Sequence, residues 1–329
     1  MAPSWGWWTR HKLNILESYL QAFAIASKSV DERIYLDLFA GSPENISRET
    51  NEPILGSVHR AIAAHPPFTR ACLFELPPRA GRLEAALRRQ YPGRSGIRVY
   101  KGDSNVMITE ALGDLANLGL RWAPTFAFID QYDHEVKWNT LEQIAAFRNA
   151  HLTKAEMWIL FGTSFYPRGL RLRQKILDAD YGERLTLMLG SERWRDIVEG
   201  TRRGVLTPER CRAELVNLMR WRLHHKLGYK ESLVLKIRNT NGSDLYDMIF
   251  ATDHRVGERI MKNLYGKSPT QQGALRQHAR EVHRSKRRLR DEGQGALFDV
   301  PPEYYVPVGD GHEQAVVQEP PHEPLRLSS

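Results

Sequence analysis

Short apolar runs alternate with amphipathic stretches through the first half of the chain. The runs predict five strands, each ending in an acidic residue or a glycine, at residues 33–37, 70–75, 97–103, 125–130 and 156–162. Stretches with apolar positions three and four apart predict helices before and between them, at residues 12–27, 80–91, 106–118 and 141–147. This alternation predicts βαβ units and a parallel sheet.

The second half begins with residues 166–230, whose Arg, Leu and Trp content and helical spacing predict a helical insertion. Runs at 233–238 and 245–251 flank an Asn-Gly loop and predict a β-hairpin, followed by a last helix over 257–265. Five parallel strands closed by an antiparallel hairpin resemble the sheet of class I methyltransferases, so the expected fold class is a Rossmann-like α/β sheet of that type. The predicted parts are an N-terminal helical lead (1–30), the core (31–165), the insertion (166–230), the closing hairpin and helix (231–268), and a basic helix with a mostly disordered tail (269–329).

Acidic residues end four of the predicted strands: Asp37, Glu75, Asp103 and Asp130. Because right-handed crossovers place the carboxyl ends of parallel strands at one edge, we expect these acids to share one rim. Open α/β sheets bind nucleotide-like ligands at that edge. The sequence therefore predicts a ligand site there.

S-adenosylmethionine (AdoMet) fits the chemistry of this rim. Asp37 with the small residues Ala40 and Gly41 could receive the amino-acid portion, since the motif D-x-F-A-G resembles the first turn of class I methyltransferases. Glu75 stands where an acid accepts the ribose hydroxyls. The alternative for each acid is that it caps the following helix.

Asp103 and Ser104 follow the third predicted strand and are the candidates for the adenine. The run Gly102-Asp103-Ser104-Asn105 places polar side chains at the point where an amino group of the base would need an acceptor. Three ligand-type residues at three successive strand ends are a more specific signal than any one of them.

Asp130 and Tyr132 are the candidate catalytic residues. Their position after the fourth strand resembles the D/N-P-P-Y motif of amino-methyltransferases, in which the side chain accepts a hydrogen bond from the target amine. Both prolines are missing here, but the acceptor and the aromatic ring remain. A flipped or single-stranded base could stack on Tyr132; the alternative is that this ring packs at the rim.

Composition indicates which classes of partner the protein is expected to have. The chain of 329 residues carries a formal net charge of +8, with a strongly basic stretch at 271–290, and this favours nucleic acid as a partner. Two cysteines, Cys72 and Cys211, indicate neither a disulfide framework nor a zinc site, and no histidine spacing indicates a metal. The absence of a signal-peptide pattern and of a bilayer-length apolar run predicts a cytoplasmic protein with no membrane partner.

The tail contains one short motif. Gln294, Leu297 and Phe298 form a Q-x-x-L-F sequence that resembles the peptide by which bacterial DNA-processing proteins bind the sliding clamp. Glutamine would hydrogen-bond at the pocket edge, and Leu-Phe would fill an apolar groove. A DNA sliding clamp is therefore an expected partner.

The chain as a whole resembles the three-Cys-motif partner (TcmP) family. The resemblance rests on residues 12–16, 35–41, 74–76, 102–105, 128–130, 158–161 and 245–254. It implies a methyltransferase-like Rossmann fold and a partner protein that carries a three-cysteine motif. The chain departs from the family pattern after Gly41, where Ser-Pro-Glu replaces Pro-Gly, and at Gln131 and Asp133, where the family has proline and glycine.

Three functions follow as hypotheses. The first is an AdoMet-dependent methyltransferase that acts on or binds nucleic acid, with DNA repair or phage defence as its setting. The second is a catalytically inactive module with the same fold, which binds DNA and recruits a three-Cys-motif protein or the sliding clamp. The third is a metal-dependent nuclease, since strand-end acids can hold Mg²⁺.

Overall fold

The computed structural model describes residues 4–42, 45–48, 50–148, 153–162, 179–239, 244–291 and 319–327. Its strands are β1 Ser4–Trp5, β2 Ile34–Asp37, β3 Ile46–Ser47, β4 Arg70–Glu75, β5 Ile97–Lys101, β6 Thr125–Ile129, β7 Glu156–Phe161, β8 Glu231–Arg238 and β9 Asp244–Thr252. Its α-helices are α1 Trp7–Ala26, α2 Ser57–Ala63, α3 Arg79–Gln90, α4 Ser104–Asn117, α5 Trp138–Ala146, α6 Ala179–Leu189, α7 Trp194–Arg202, α8 Pro208–His225 and α9 Arg255–Asp291.

Seven strands form one sheet in the order β5-β4-β2-β6-β7-β9-β8. Strands β1 and β3 form a separate two-stranded sheet. The pairs among the first five strands of this order are parallel, whereas β9 runs antiparallel to both β7 and β8. The prediction of a Rossmann-like α/β sheet is confirmed, including the antiparallel hairpin at its edge.

The central strands are buried on both faces because helices cover both sides of the sheet. All residues of β2, β6 and β7 are buried, as expected of parallel strands between two helical layers. Alternate side chains therefore enter different cores: Leu36 belongs to one apolar cluster and Tyr35 to the other. Helices α1, α2, α3 and α9 cover the Tyr35 face, and α4 to α8 cover the Leu36 face.

The described part of the predicted helical insertion, residues 179–230, contributes to the main core. Leu185 of α6, Trp194 of α7 and Leu215 of α8 are fully buried in the same cluster as Leu36. These three helices therefore form part of one helical layer of the sheet, and α6 lies beside the carboxyl ends of the strands.

The C-terminal part of the chain differs from the sequence-based prediction in two respects. Helix α9 continues from the predicted last helix, without a break at residue 268, into the predicted basic helix. Residues 319–327 lie against α7 and α8, so the flexibility expected of the tail does not extend to them.

Two further predictions concern partners. The clamp-type motif at Gln294, Leu297 and Phe298 lies outside the described residues. Among the described helices, none combines the length and apolar character needed to cross a membrane.

Candidate functional site

A cavity of about 980 Å³ opens at the carboxyl ends of the strands. Its position follows from the strand order: after β2 the chain continues to β4 and β5 on one side, then returns to β6 and β7 on the other. Such a switch point leaves a crevice between the two neighbouring strand ends. The volume is that of a pocket for a nucleotide-sized ligand.

Lys12 and Asp130 form an ion pair at the wall of this cavity. The Lys12 Nζ atom lies 2.5 Å from Oδ1 and 2.6 Å from Oδ2 of Asp130. The lysine side chain is 6% exposed and the aspartate side chain 23%, and the ammonium group lies 5.4 Å from the centre of the Tyr246 ring. Helix α1 thus carries a cation to the end of β6, where it engages both oxygens of the predicted catalytic carboxylate.

Asp37 lies beneath the cavity instead of in its wall. Its side chain is fully buried and accepts hydrogen bonds from the Tyr35 hydroxyl at 2.9 Å and from the Phe39 amide at 3.4 Å. Burial raises the pKa of Asp37 to about 6; hydrogen bonds from Ser57 and Tyr35 lower it, and the charge of Asp130 raises it. Asp37 therefore shapes the turn after β2 and adds a buried negative charge, without direct access to the cavity.

Gly41 and Glu75 stabilise the turn that follows β2. Gly41 has φ +73°, in the left-handed region that glycine adopts without strain. Its amide donates to Glu75 Oε2 at 2.8 Å, while Glu75 Oε1 accepts from the Leu76 amide at 2.9 Å and pairs with Arg79 Nε at 3.0 Å. Gly41 and Glu75 line the cavity, whereas Ala40, also a candidate, does not.

Asp103 and Ser104 both line the cavity, and they differ in their bonding. Asp103 caps α4, since its Oδ1 accepts from the backbone and side-chain nitrogens of Asn105, each at 2.9 Å. The Ser104 hydroxyl is buried and has no hydrogen-bond partner among the described residues. A buried hydroxyl without a partner costs free energy, so this atom points to a ligand group at the same place.

Gln131 organises the loop that follows β6. It is 1% exposed, its Nε2 donates to the Leu160 carbonyl at 2.9 Å, and its Oε1 accepts from the amides of Glu135 and Val136, each at 2.8 Å. Gln131 thus holds the loop by three hydrogen bonds to main-chain groups. Tyr132 projects from this loop with 80% of its surface exposed, at the mouth of the cavity.

Sequence reasoning missed a group next to Tyr132. The buried His134 side chain pairs with Asp133 through Nδ1 and Oδ1 at 2.7 Å, and Arg184 of α6 lies 3.4 Å from the other oxygen. The hydrogen bond with His134 is the largest cause that lowers the pKa of Asp133. No spacing in the sequence could have found this group, because Arg184 comes from the insertion.

Both basic and aromatic side chains line the cavity. The basic residues in its lining are Lys12, Arg48, Arg79, Lys137 and Arg184. Aromatic rings accompany them: Trp8 lies 5.5 Å from the guanidinium of Arg48, and Trp5 and Tyr132 also line the cavity. Cations beside exposed rings suit a ligand that has both phosphates and bases.

No family model matches this chain, and the search of curated proteins found no match. Within the described ranges, no three His, Cys, Asp or Glu side chains come together as a group that could hold a metal ion. The assignment of function therefore depends on the geometry of the cavity.

Proposed function

We propose that the protein is an AdoMet-binding, methyltransferase-like protein that acts on nucleic acid. The observation that carries the proposal is the cavity at the switch point between β2 and β6, with ligand-type residues at successive strand ends. The strand order and the single antiparallel strand β9 also support it, since they agree with the sheet of class I methyltransferases.

Several residues of the cavity fit AdoMet. The Gly41 turn lacks a side chain where the amino-acid portion would approach the backbone, and Glu75 lies beside it with a carboxylate for the ribose. Ser104 offers a buried hydroxyl that has no partner in the described part of the chain. Bound AdoMet supplies an electrophilic methyl group. The chain's own contribution is to bind the cofactor, align the acceptor and exclude water.

The opposite side of the cavity fits the acceptor. Tyr132 is exposed at the mouth and can stack on an unpaired base. Lys137 and Arg184 line the same side and can contact phosphates. In this arrangement Asp130, whose two oxygens also bond Lys12, accepts a hydrogen bond from the target amine.

The Lys12–Asp130 pair also favours the second hypothesis, a catalytically inactive module. Because Lys12 already engages both carboxylate oxygens at 2.5 and 2.6 Å, a target amine would have to share an acceptor whose charge is already compensated. Such a module would bind AdoMet or nucleic acid in the same cavity and recruit a partner, with the three-Cys-motif protein and the sliding clamp as the proposed ones. The nuclease hypothesis gains no support from the described residues, which bring no metal-binding cluster together.

Calorimetric titration of AdoMet into the purified protein tests the proposal. We expect saturable heat with the wild type and with Glu199→Gln, a half-exposed carboxyl-to-amide control on α7. Binding should weaken at least tenfold in Glu75→Gln, which disturbs the Gly41 turn. Absence of heat at millimolar AdoMet would reject both the methyltransferase and an AdoMet-binding module.

A second assay separates the enzyme from the inactive module. Protein that binds AdoMet is incubated with radiolabelled cofactor and with single-stranded DNA, duplex DNA or RNA. Transfer of label to one of these, lost in Asp130→Asn, supports the enzyme. Tight AdoMet binding with no label in any nucleic acid favours the inactive module.

A further inference from the structure

The C-terminal segment, residues 319–327, lies on the surface of α7 and α8 as an extended peptide. It has no helix or strand structure. Three prolines fix φ and restrict the residues that precede them to extended conformations. The buried and half-buried positions are Pro321, Pro324, Leu325 and Leu327, and the residues between them are exposed.

One asparagine side chain binds the main chain of this segment at two points. Asn217 Nδ2 donates to the His322 carbonyl at 2.9 Å, and Asn217 Oδ1 accepts from the His322 amide at 3.0 Å. Asn217 is 6% exposed. A side-chain amide that satisfies both backbone groups of one residue recognises an extended peptide irrespective of its side chains, because a helix or sheet would already use those groups.

Two arginines bind the main chain of the segment on either side of His322. Arg193 Nη2 donates to the Pro324 carbonyl at 2.7 Å, and Arg220 Nη2 donates to the Glu319 carbonyl at 2.8 Å. The contacts thus extend over six residues of the segment, from 319 to 324. Four hydrogen bonds to carbonyls and an amide define its path across the surface.

Two side chains of the segment supply specificity. His322 Nε2 lies 2.9 and 3.1 Å from the two oxygens of Glu214, which is 5% exposed. Leu325 packs against the apolar core cluster, and a Cβ atom at Gly200 would come within 2.8 Å of its Cδ2. The missing side chain at Gly200 leaves the space that Leu325 occupies.

We propose that this surface, the α7–α8 groove formed by Arg193, Gly200, Glu214, Asn217 and Arg220, is a peptide-binding site for an extended, proline-containing segment with histidine three residues before leucine. Its resident ligand is the chain's own C-terminal segment, bound within the same molecule. Glu214, Asn217 and Arg220 are three residues apart along α8, so one face of the helix presents all three. The groove is separate from the cavity at the strand ends and does not depend on what that cavity binds.

Anisotropy titration with a fluorescent peptide of residues 319–327 tests the proposal on the full chain. In the double variant His322→Ala with Leu325→Ala, the chain's own segment binds the groove less tightly, so the groove becomes available to the added peptide. We expect the peptide to bind this variant with micromolar affinity. It should bind the wild type at least tenfold more weakly, since the attached segment competes at a high effective concentration.

Changes in the peptide avoid any effect on folding. Alanine at His322 or at Leu325 of the peptide should each weaken binding to the double variant about tenfold, and a peptide of reversed sequence should not bind. In the protein, adding Asn217→Ala should weaken binding about thirtyfold through the loss of two hydrogen bonds. Adding Glu209→Gln, an exposed change on the same helix, should leave it unchanged.

Three outcomes would overturn the proposal. Equal binding of the wild-type and reversed peptides, or no binding to the double variant, would reject a peptide site. A wild-type dimer that becomes monomeric in the double variant would show that the groove holds the segment of a second copy, and would reject binding within one molecule. Light scattering on the same samples distinguishes these results.

Discussion

Lys12 and Asp130, 118 residues apart in the chain, form a two-oxygen ion pair with nitrogen–oxygen distances of 2.5 and 2.6 Å. The pair joins the beginning of α1 to the end of β6 and thereby closes one wall of the cavity. Because the lysine side chain is only 6% exposed, its charge depends on this carboxylate for compensation.

Lys12→Met should destabilise the protein by about 2 kcal/mol, which is less than the usual cost of breaking a fully buried pair, because Asp130 retains some contact with water. The double variant Lys12→Met with Asp130→Asn should lose less than the sum of the two single variants, since neither charge then remains alone. Denaturant unfolding measures all three. Arg88→Met, which removes an exposed pair with Glu84, is the control, with an expected change within about 0.5 kcal/mol. Strict additivity would contradict the coupling.

Ser104→Ala should have opposite effects on stability and on ligand binding. Removal of the unpartnered buried hydroxyl should stabilise the ligand-free protein by about 1 kcal/mol. If this hydroxyl bonds the ligand, the Kd for AdoMet should rise about fivefold. Thermal unfolding with and without AdoMet measures both. The control is Ser18→Ala, at an exposed serine on α1, which should change neither the stability nor the Kd for AdoMet. An unaltered Kd in Ser104→Ala would show that Ser104 is not part of the binding site.

Tyr132→Ala should weaken binding of single-stranded oligonucleotides by about 1 to 3 kcal/mol, the range of one lost base–aromatic stack. Stability should stay the same, because the side chain is 80% exposed. Fluorescence anisotropy at fixed salt measures the affinity. Trp122→Ala removes another exposed ring, away from the cavity, and should bind like the wild type. Equal losses in the two variants would indicate nonspecific contacts.

Glu156→Gln should change how stability depends on pH. Burial raises the pKa of Glu156 to about 7 from its ordinary value of 4.5, while hydrogen bonds from Thr252 and Tyr19 lower it. The folded protein therefore keeps a proton that the unfolded chain releases, and the contribution of Glu156 to stability is full below pH 4.5 and is lost as the pH rises through about 7.

The glutamine variant removes this titration. Relative to the wild type, its free energy of unfolding should increase between pH 4.5 and 7 by up to about 3 kcal/mol and stay level above that. Denaturant unfolding across this range is the measurement, with Glu199→Gln as the half-exposed control. Parallel pH profiles of the wild type and Glu156→Gln would show that Glu156 ionises normally in the folded protein.

Part of the candidate site could be predicted because it is local in sequence. An acid or a glycine at the end of an apolar run needs only strand periodicity to be placed at the sheet edge, and Glu75, Asp103 and Asp130 do lie there. The roles were harder to predict. Asp37 lies beneath the cavity, and Asp103 caps α4, since a carboxylate bonds whichever donors surround it in the folded protein.

The sequence by itself determined the strands, the helices and the parallel sheet, because periodicity and handed crossovers depend on neighbouring residues. Only the tertiary structure decided which charges meet. Lys12 reaches Asp130, Arg184 reaches Asp133, and Asn217 binds the backbone of His322. These partners are separated by 118, 51 and 105 residues. No local pattern encodes such pairs, because they form only when the packing of the sheet and its helices brings distant side chains within hydrogen-bond distance.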